Sequence, residues 1–168
     1  MKTKIISILL CLVFIVSLCA CDKGENTTDS KYKNDVAPQT LADSIVEAIS
    51  SPHGFSAPDS DYVEFSMEGA SALCRDYCVM LSGMNINMNE FGIFRAKSEK
   101  DAEAVAAICQ SYVDMKIEGY NPHYLPQEYP KIQNGTVKVY GTYVVYTFLT
   151  DDDMAKVEKI ILGKLAKS

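Results

Sequence analysis

Basic residues are in short supply, with 16 Lys and Arg set against 22 Asp and Glu for a formal charge of −6. That balance makes nucleic acid an unexpected partner, because binding to phosphates is driven by Lys and Arg that release counterions. Histidine occurs only at His53 and His123, and no Cys-x-x-Cys pair is present. A zinc site drawn from Cys74, Cys78, Cys109, His53 and His123 would lack the ligand spacing such sites use, so no metal is expected. A phosphate-cradling glycine loop, a serine elbow and a dinucleotide fingerprint are also missing, and neither a cofactor nor a catalytic residue is assigned. Asp151-Asp152-Asp153 lacks the spaced oxygens and glycine of a calcium loop. It suits a helix start, where carboxylates meet the positive end of the dipole.

No apolar run is long enough for a membrane span, which takes roughly 20 residues. The longest, Ile5 to Leu18, follows Lys2 and Lys4 and stops at the polar Asp22-Lys23-Gly24-Glu25. A short basic region, an apolar stretch and the small residue Ala20 together read as a targeting segment that is removed. Its end, Leu18-Cys19-Ala20-Cys21, resembles the lipobox of bacterial lipoproteins. The resemblance implies that Cys21 becomes the mature N-terminus and carries a diacylglyceryl thioether, holding the protein on the extracytoplasmic face of the cell membrane. Two acyl chains on one residue meet the requirement for stable attachment. The alternatives are an ordinary signal peptide cut elsewhere and an uncleaved anchor.

Loss of residues 1–20 leaves 14 Lys and Arg against 22 Asp and Glu, a formal charge of −8. An acidic domain of this kind is expected to be repelled by anionic headgroups. Residues 21–37 are too polar to form a core and read as a lipidated cysteine followed by a flexible tether. Residues 38–168 are the length of one domain. Cys74, Cys78 and Cys109 remain as thiols, and burial as small hydrophobes is their default. Cys74 and Cys78 are too far apart along a strand to bridge, whereas a bond between Cys78 and Cys109 is sterically conceivable.

A hydroxyl residue followed three positions later by Asp marks three helix starts: Thr40 with Asp43, Ser98 with Asp101, and Thr150 with Asp153. Apolar stripes follow each one, and the longest runs Ala102, Val105, Ala106, Cys109, Tyr112, Val113 and Ile117. Between the second and third helices lies Thr136–Tyr140, then Gly141-Thr142, then Tyr143–Leu149. A two-residue loop with Gly first suits a type II′ hairpin. It sets Tyr140 opposite Tyr143, Val139 opposite Val144 and Thr136 opposite Thr147. Val137, Val139, Val144, Tyr146 and Phe148 are assigned to the core. The opposite face, with Thr136, Lys138, Tyr140, Tyr143, Val145 and Thr147, is either solvated or covered. Asp76–Ser82 and Glu90–Ala96 read as two further strands. The expected fold is α+β: a four-stranded antiparallel sheet in ββα-ββα order, helices mainly on one face, and an additional N-terminal helix. His53–Ala72 is left between short helix and strand.

The strand Phe91–Lys97, the alanine-rich helix after it, Tyr129-Pro130-Lys131 and Val139–Val145 resemble a family of small lipoproteins of low-GC Gram-positive bacteria that carries a domain of unknown function. The resemblance implies export and fold and transfers no chemistry. Among segments outside the core, Glu118–Pro130 holds three tyrosines, three prolines and a histidine, a stiff aromatic composition suited to recognition. Tyr120, His123, Tyr124 and Tyr129, with Tyr140 and Tyr143, are the candidate binding residues; packing of the tyrosines over the sheet edge is the competing reading. The functional expectation is a lipid-anchored binding module at the cell envelope that contacts an envelope protein or ligand. The alternative is a small envelope enzyme using a cysteine or histidine, such as Cys109 or Cys78 beside His123.

Overall fold

Side chains alternate along Glu90–Ala96 between two separate cores. Phe94 and Ala96 point into one, and Phe91 and Ile93 into the other. A strand buried on both faces needs helices on both faces, and this chain supplies them. The computed structural model describes residues 31–49, 51, 53–83 and 86–167. The segment expected to be a signal (1–20), Cys21 and residues 22–30 of the expected tether lie outside the described residues.

The elements in chain order are α1 (Pro38–Ala48), β1 (Phe55–Ser56), α2 (Tyr62–Ser66), α3 (Ala70–Leu73), β2 (Cys74–Ser82), β3 (Glu90–Ala96), α4 (Glu99–Gly119), α5 (Tyr129–Gln133), β4 (Thr136–Tyr140), β5 (Tyr143–Phe148) and α6 (Asp151–Leu165). The fold is α+β, with a five-stranded antiparallel sheet in the order β1-β2-β3-β5-β4. The expected four strands are present, and β1 adds a fifth by pairing Phe55 with Ser82 and Ser56 with Leu81.

The expectation of helices mainly on one face is corrected. One face packs against α4 through Ala102, Val105, Cys109 and Val113, with Val63 of α2 and Ala70 of α3 at the margin. The other packs against Leu41 and Ile45 of α1 and Val157, Ile161 and Leu165 of α6. The physical reason is that Cys78, Phe91, Ile93, Tyr140, Tyr143 and Val145 make the second face apolar along its length. Each aliphatic or aromatic side chain buried there contributes about 1.5–3 kcal/mol.

The hairpin has the register its two-residue loop implies, from Tyr140 opposite Tyr143 to Thr136 opposite Thr147. Gly141 sits at φ 61°, a conformation that costs glycine nothing. Val139 is a correction to the core assignment: it lies on the edge strand and is 47 % exposed, while Val144, Tyr146 and Phe148 are buried. Ser98 and Thr150 cap α4 and α6 by accepting from the backbone N–H of Asp101 (3.1 Å) and Asp153 (3.3 Å). Each hydroxyl also donates to the carboxylate of that same aspartate. Thr40 does not cap, because α1 begins at Pro38, whose fixed φ and missing N–H suit the first helical position.

Residues 31–37, placed in the tether by composition, lie against the domain. Tyr32 bridges to Ala166, and the Lys33 N–H donates to the Leu165 carbonyl at 2.7 Å. The Tyr32 ring meets Tyr140 edge-on, and the Tyr143 hydroxyl donates to the Val36 carbonyl at 2.7 Å. Arg95, bidentate to Asp76, also reaches the Asn34 carbonyl. The chain is therefore fastened at the end of the sheet formed by the β4–β5 hairpin and the last residues of β3.

Candidate functional site

The opposite end of the sheet is organised around a buried carboxylate. Glu90 opens β3 and is only 3 % exposed. Its Oε1 accepts from the hydroxyls of Tyr112 (2.7 Å) and Tyr146 (2.8 Å). Its Oε2 accepts from Lys116, whose ammonium also lies over the rings of Tyr112 and Phe148. The Tyr62 hydroxyl is 2.5 Å from that of Tyr112 and 3.4 Å from Glu90. Tyr112 donates its hydrogen bond to Glu90, so its oxygen is free to accept one from Tyr62. A chain of hydrogen bonds thus runs from α2 through α4 to the start of β3.

Gly92 makes this geometry possible. It pairs directly with Tyr146 across the β3–β5 ladder, and a Cβ there would stand 2.2 Å from the Tyr146 ring. The ring lies across the bare backbone and so brings its hydroxyl to Glu90. Burial, with the Glu90 charge second, pushes the Tyr62 phenol up to about 12 and raises Tyr112 and Tyr146 further. All three remain protonated donors at neutral pH, and the carboxylate they surround has both oxygens engaged. The arrangement holds charge in place and offers a substrate no open position.

A second polar cluster adjoins the first. Glu128, also buried, accepts from the Met88 N–H (3.0 Å) and from Lys131 (2.7 Å), and Lys131 donates to the buried Asn89 (2.9 Å). Together these bonds fix the approach to β3 against the Tyr120–Gln133 segment.

The six aromatic and histidine candidates separate into two groups. Tyr140 and Tyr143 are buried on the α1–α6 face, near the fastened N-terminal segment, which withdraws them from any surface. Tyr120 and Tyr129 stack on each other with ring centroids 6.0 Å apart. The Tyr120 hydroxyl donates to the carbonyls of Tyr124 (2.7 Å) and Leu125 (3.0 Å), holding Leu125 at φ 49°. Most of this loop's aromatic surface is spent on the loop itself, and His123 and Tyr124 face outward. Cys74, Cys78 and Cys109 are free and buried. Cys78 lies in the α1–α6 core and Cys109 in the α4 core, so the sheet separates them and a bond between them is excluded. Burial pushes the thiols of Cys74 and Cys78 up to about 11 and that of Cys109 up to about 12. Thiolate chemistry is therefore suppressed. Among the described residues no His, Cys, Asp and Glu side chains converge as metal ligands, and no helix is long and apolar enough to cross a membrane.

One exposed feature was missed in the sequence. Phe65 on α2 is 93 % exposed. It borders a depression of about 430 Å³ lined by Pro58, Tyr62 and Leu81 together with Asp59 and Asp61. The helix is held by Val63 and Met67, which turn inward, and by the Tyr62 hydroxyl in the Glu90 network. With five residues, α2 is too short for an apolar period to separate its inward from its outward side chains.

Residues 70–149 match the family model for a domain of unknown function, DUF4358. A DUF4358 domain is present in this chain. No curated protein and no solved structure matches the chain. The DUF4358 segment runs from α3 to the residue after β5, and so contains Glu90, Gly92, Tyr112, Lys116 and Tyr146. Tyr62 completes the network from outside it. The α2 depression, α1 and α6 lie wholly or largely outside the DUF4358 segment.

Proposed function

We propose that this protein is a lipid-anchored, extracytoplasmic interaction module that holds a basic, apolar segment of an envelope protein against α2. The observation that carries the reading is Phe65, an almost fully exposed phenylalanine on an otherwise well-fastened helix, beside a depression that combines Pro58, Tyr62 and Leu81 with Asp59 and Asp61. Burying such a ring in a partner contributes about 1.5–3 kcal/mol, and aromatic anchors of this kind dominate binding energies. The chemistry of the partner follows from charge. Residues 55–73 contain Asp59, Asp61, Glu64 and Glu68 and no Lys or Arg. A partner that offers Lys or Arg around an apolar side chain is complementary, and an acidic one is rejected.

The placement of the two ends supports the same reading. The segment that leads back toward Cys21 is fastened at the hairpin end of the sheet, and α2 meets Glu90 at the other end. Seven residues of β3 separate these ends by about 20 Å. An anchor at Cys21 leaves α2 directed away from the bilayer. No specific observation favours a cysteine or histidine enzyme, since the thiols are buried with raised pKa values.

Photo-crosslinking in intact cells from a benzoylphenylalanine at position 65 tests the reading. The expected adduct maps to a Lys- or Arg-containing segment of an extracytoplasmic protein, and Asp59→Lys with Asp61→Lys reduces its yield. An adduct confined to lipid, or none at 65, would contradict it.

A further inference from the structure

We infer that the end of the domain where residues 31–37 meet α6 docks on anionic lipid headgroups of the membrane that carries the Cys21 anchor; this rests on the anchor reading. The backbone gathers the charges. The Lys33 N–H donates to the Leu165 carbonyl, the Lys167 N–H to the Lys31 carbonyl, and Tyr32 bridges to Ala166. Lys31, Lys33, Lys164 and Lys167 are thereby brought to one end of α6, with Lys159 further along the same helix. Residues 159–168 contain no Asp or Glu, and Asp35 is the one acidic side chain among residues 31–37.

A groove of about 450 Å³ runs along α6 toward this end, beside the last residue of α1, lined by Ala48, Ile160 and Gly163 and by Lys156, Lys159 and Lys164. Its apolar floor and lysine border suit a phosphate on a glycerol stem. Lys156 is held by Asp153 at 2.7 Å. Lys159 and Lys164 enter none of the ion pairs found among the described residues. The acids nearest in sequence to the groove are Glu47, next to Ala48, and Glu158, next to Lys159; Glu158 is paired with Lys138 at 2.9 Å, which leaves Glu47 against Lys159 and Lys164.

Net acidity points the other way, and distance decides between the two. At physiological ionic strength the screening length is about 8 Å. At a rise of about 1.5 Å per residue, Asp151, Asp152 and Asp153 stand about 16–20 Å, two screening lengths, from Lys164 and about 9–12 Å, more than one, from Lys159. The acids around Phe65 belong to the far end of the sheet. Glu99, Asp101 and Glu103 start α4 at the near end, but they lie on the opposite face and are interleaved with Lys97 and Lys100. The headgroups therefore meet a locally basic surface on an acidic protein. Ten residues lead from Cys21 to Lys31, and such a length spans at most about 36 Å. The anchored end is thus kept within reach of the bilayer.

The test uses the full lipidated protein reconstituted on vesicles of phosphatidylcholine alone or mixed with phosphatidylglycerol. An impermeant amine reagent is applied and each lysine is followed by mass spectrometry. Lys159 and Lys164 are expected to label roughly fivefold more slowly on the anionic vesicles, with Lys100 unchanged and the difference abolished by high salt. Lys159→Glu with Lys164→Glu should remove the protection of Lys31 and Lys33. Protein that floats with both vesicles yet labels equally on each overturns the docking proposal alone. Protein that floats with neither overturns the anchor reading, and this inference with it.

Discussion

The Tyr146 hydroxyl reaches Oε1 of Glu90, 2.8 Å away, by passing its ring over Gly92. Tyr146 and Glu90 stand 56 residues apart in sequence, and their contact joins β5 to the first residue of β3 within the α4 core. Tyr146→Phe removes one of the donors to a buried carboxylate and is expected to destabilise the domain by about 1–3 kcal/mol. Glu90→Ala takes the acceptor from Tyr112 and Tyr146 and leaves Lys116 without its ion-pair partner, and should cost about 3–5 kcal/mol. Urea denaturation of each variant measures both.

Gly92→Ala places a methyl group against the Tyr146 ring and is expected to cost about 1–3 kcal/mol. The cost should largely vanish when Tyr146 is already alanine, because the clash is then gone. A double-mutant cycle reads this directly: strict additivity would show that Gly92 is not kept for the ring.

Stability should fall in alkali. Cys74, Cys78 and Cys109 are raised from 9.0, and Tyr62, Tyr112 and Tyr146 from 10.0. The unfolded chain therefore releases these protons at a lower pH than the folded one. The stabilisation is complete below pH 9 and declines as pH rises through 10 toward 12, since the folded state binds more protons there. Denaturant midpoints across this range should decline, and Tyr146→Phe should flatten the decline.

The three thiols should resist reagent in the folded protein. Maleimide labelling of Cys74, Cys78 and Cys109 is expected to be slow in buffer and rapid in denaturant. Fast modification of Cys109 in buffer would revive the cysteine enzyme.

Phe65→Ser should leave stability within about 0.5 kcal/mol of the parent, since the ring contributes little to the fold. Phe94, fully buried in the α4 core, makes the contrast: Phe94→Ala should cost about 3–5 kcal/mol.

Features set by neighbours in the chain were legible in the sequence. The hairpin register follows from a two-residue loop beginning with Gly141, and the starts of α4 and α6 follow from Ser98 and Thr150. Features set by distant pairs were not. The partners of Glu90 come from residues 22 to 56 positions away, so nothing local distinguishes it from a surface glutamate. Its one sequence signal is its phase: Glu90 lies in step with Gly92, Phe94 and Ala96 on a single face. Two-residue β1 is too short for alternation. Covering of the second face was legible only as an open choice, because Lys138 and two threonines there resemble an exposed surface. The lysine-rich end required the Tyr32–Ala166 bridge, which joins the two ends of the described chain.

The most direct test of the account is its orientation on a membrane. Nitroxides at Phe65→Cys and Lys164→Cys, in lipidated protein on anionic vesicles, can be exposed to a nickel chelate fixed to the headgroups. The account predicts strong relaxation at position 164 and none at position 65. Stronger relaxation at 65 than at 164 would contradict it.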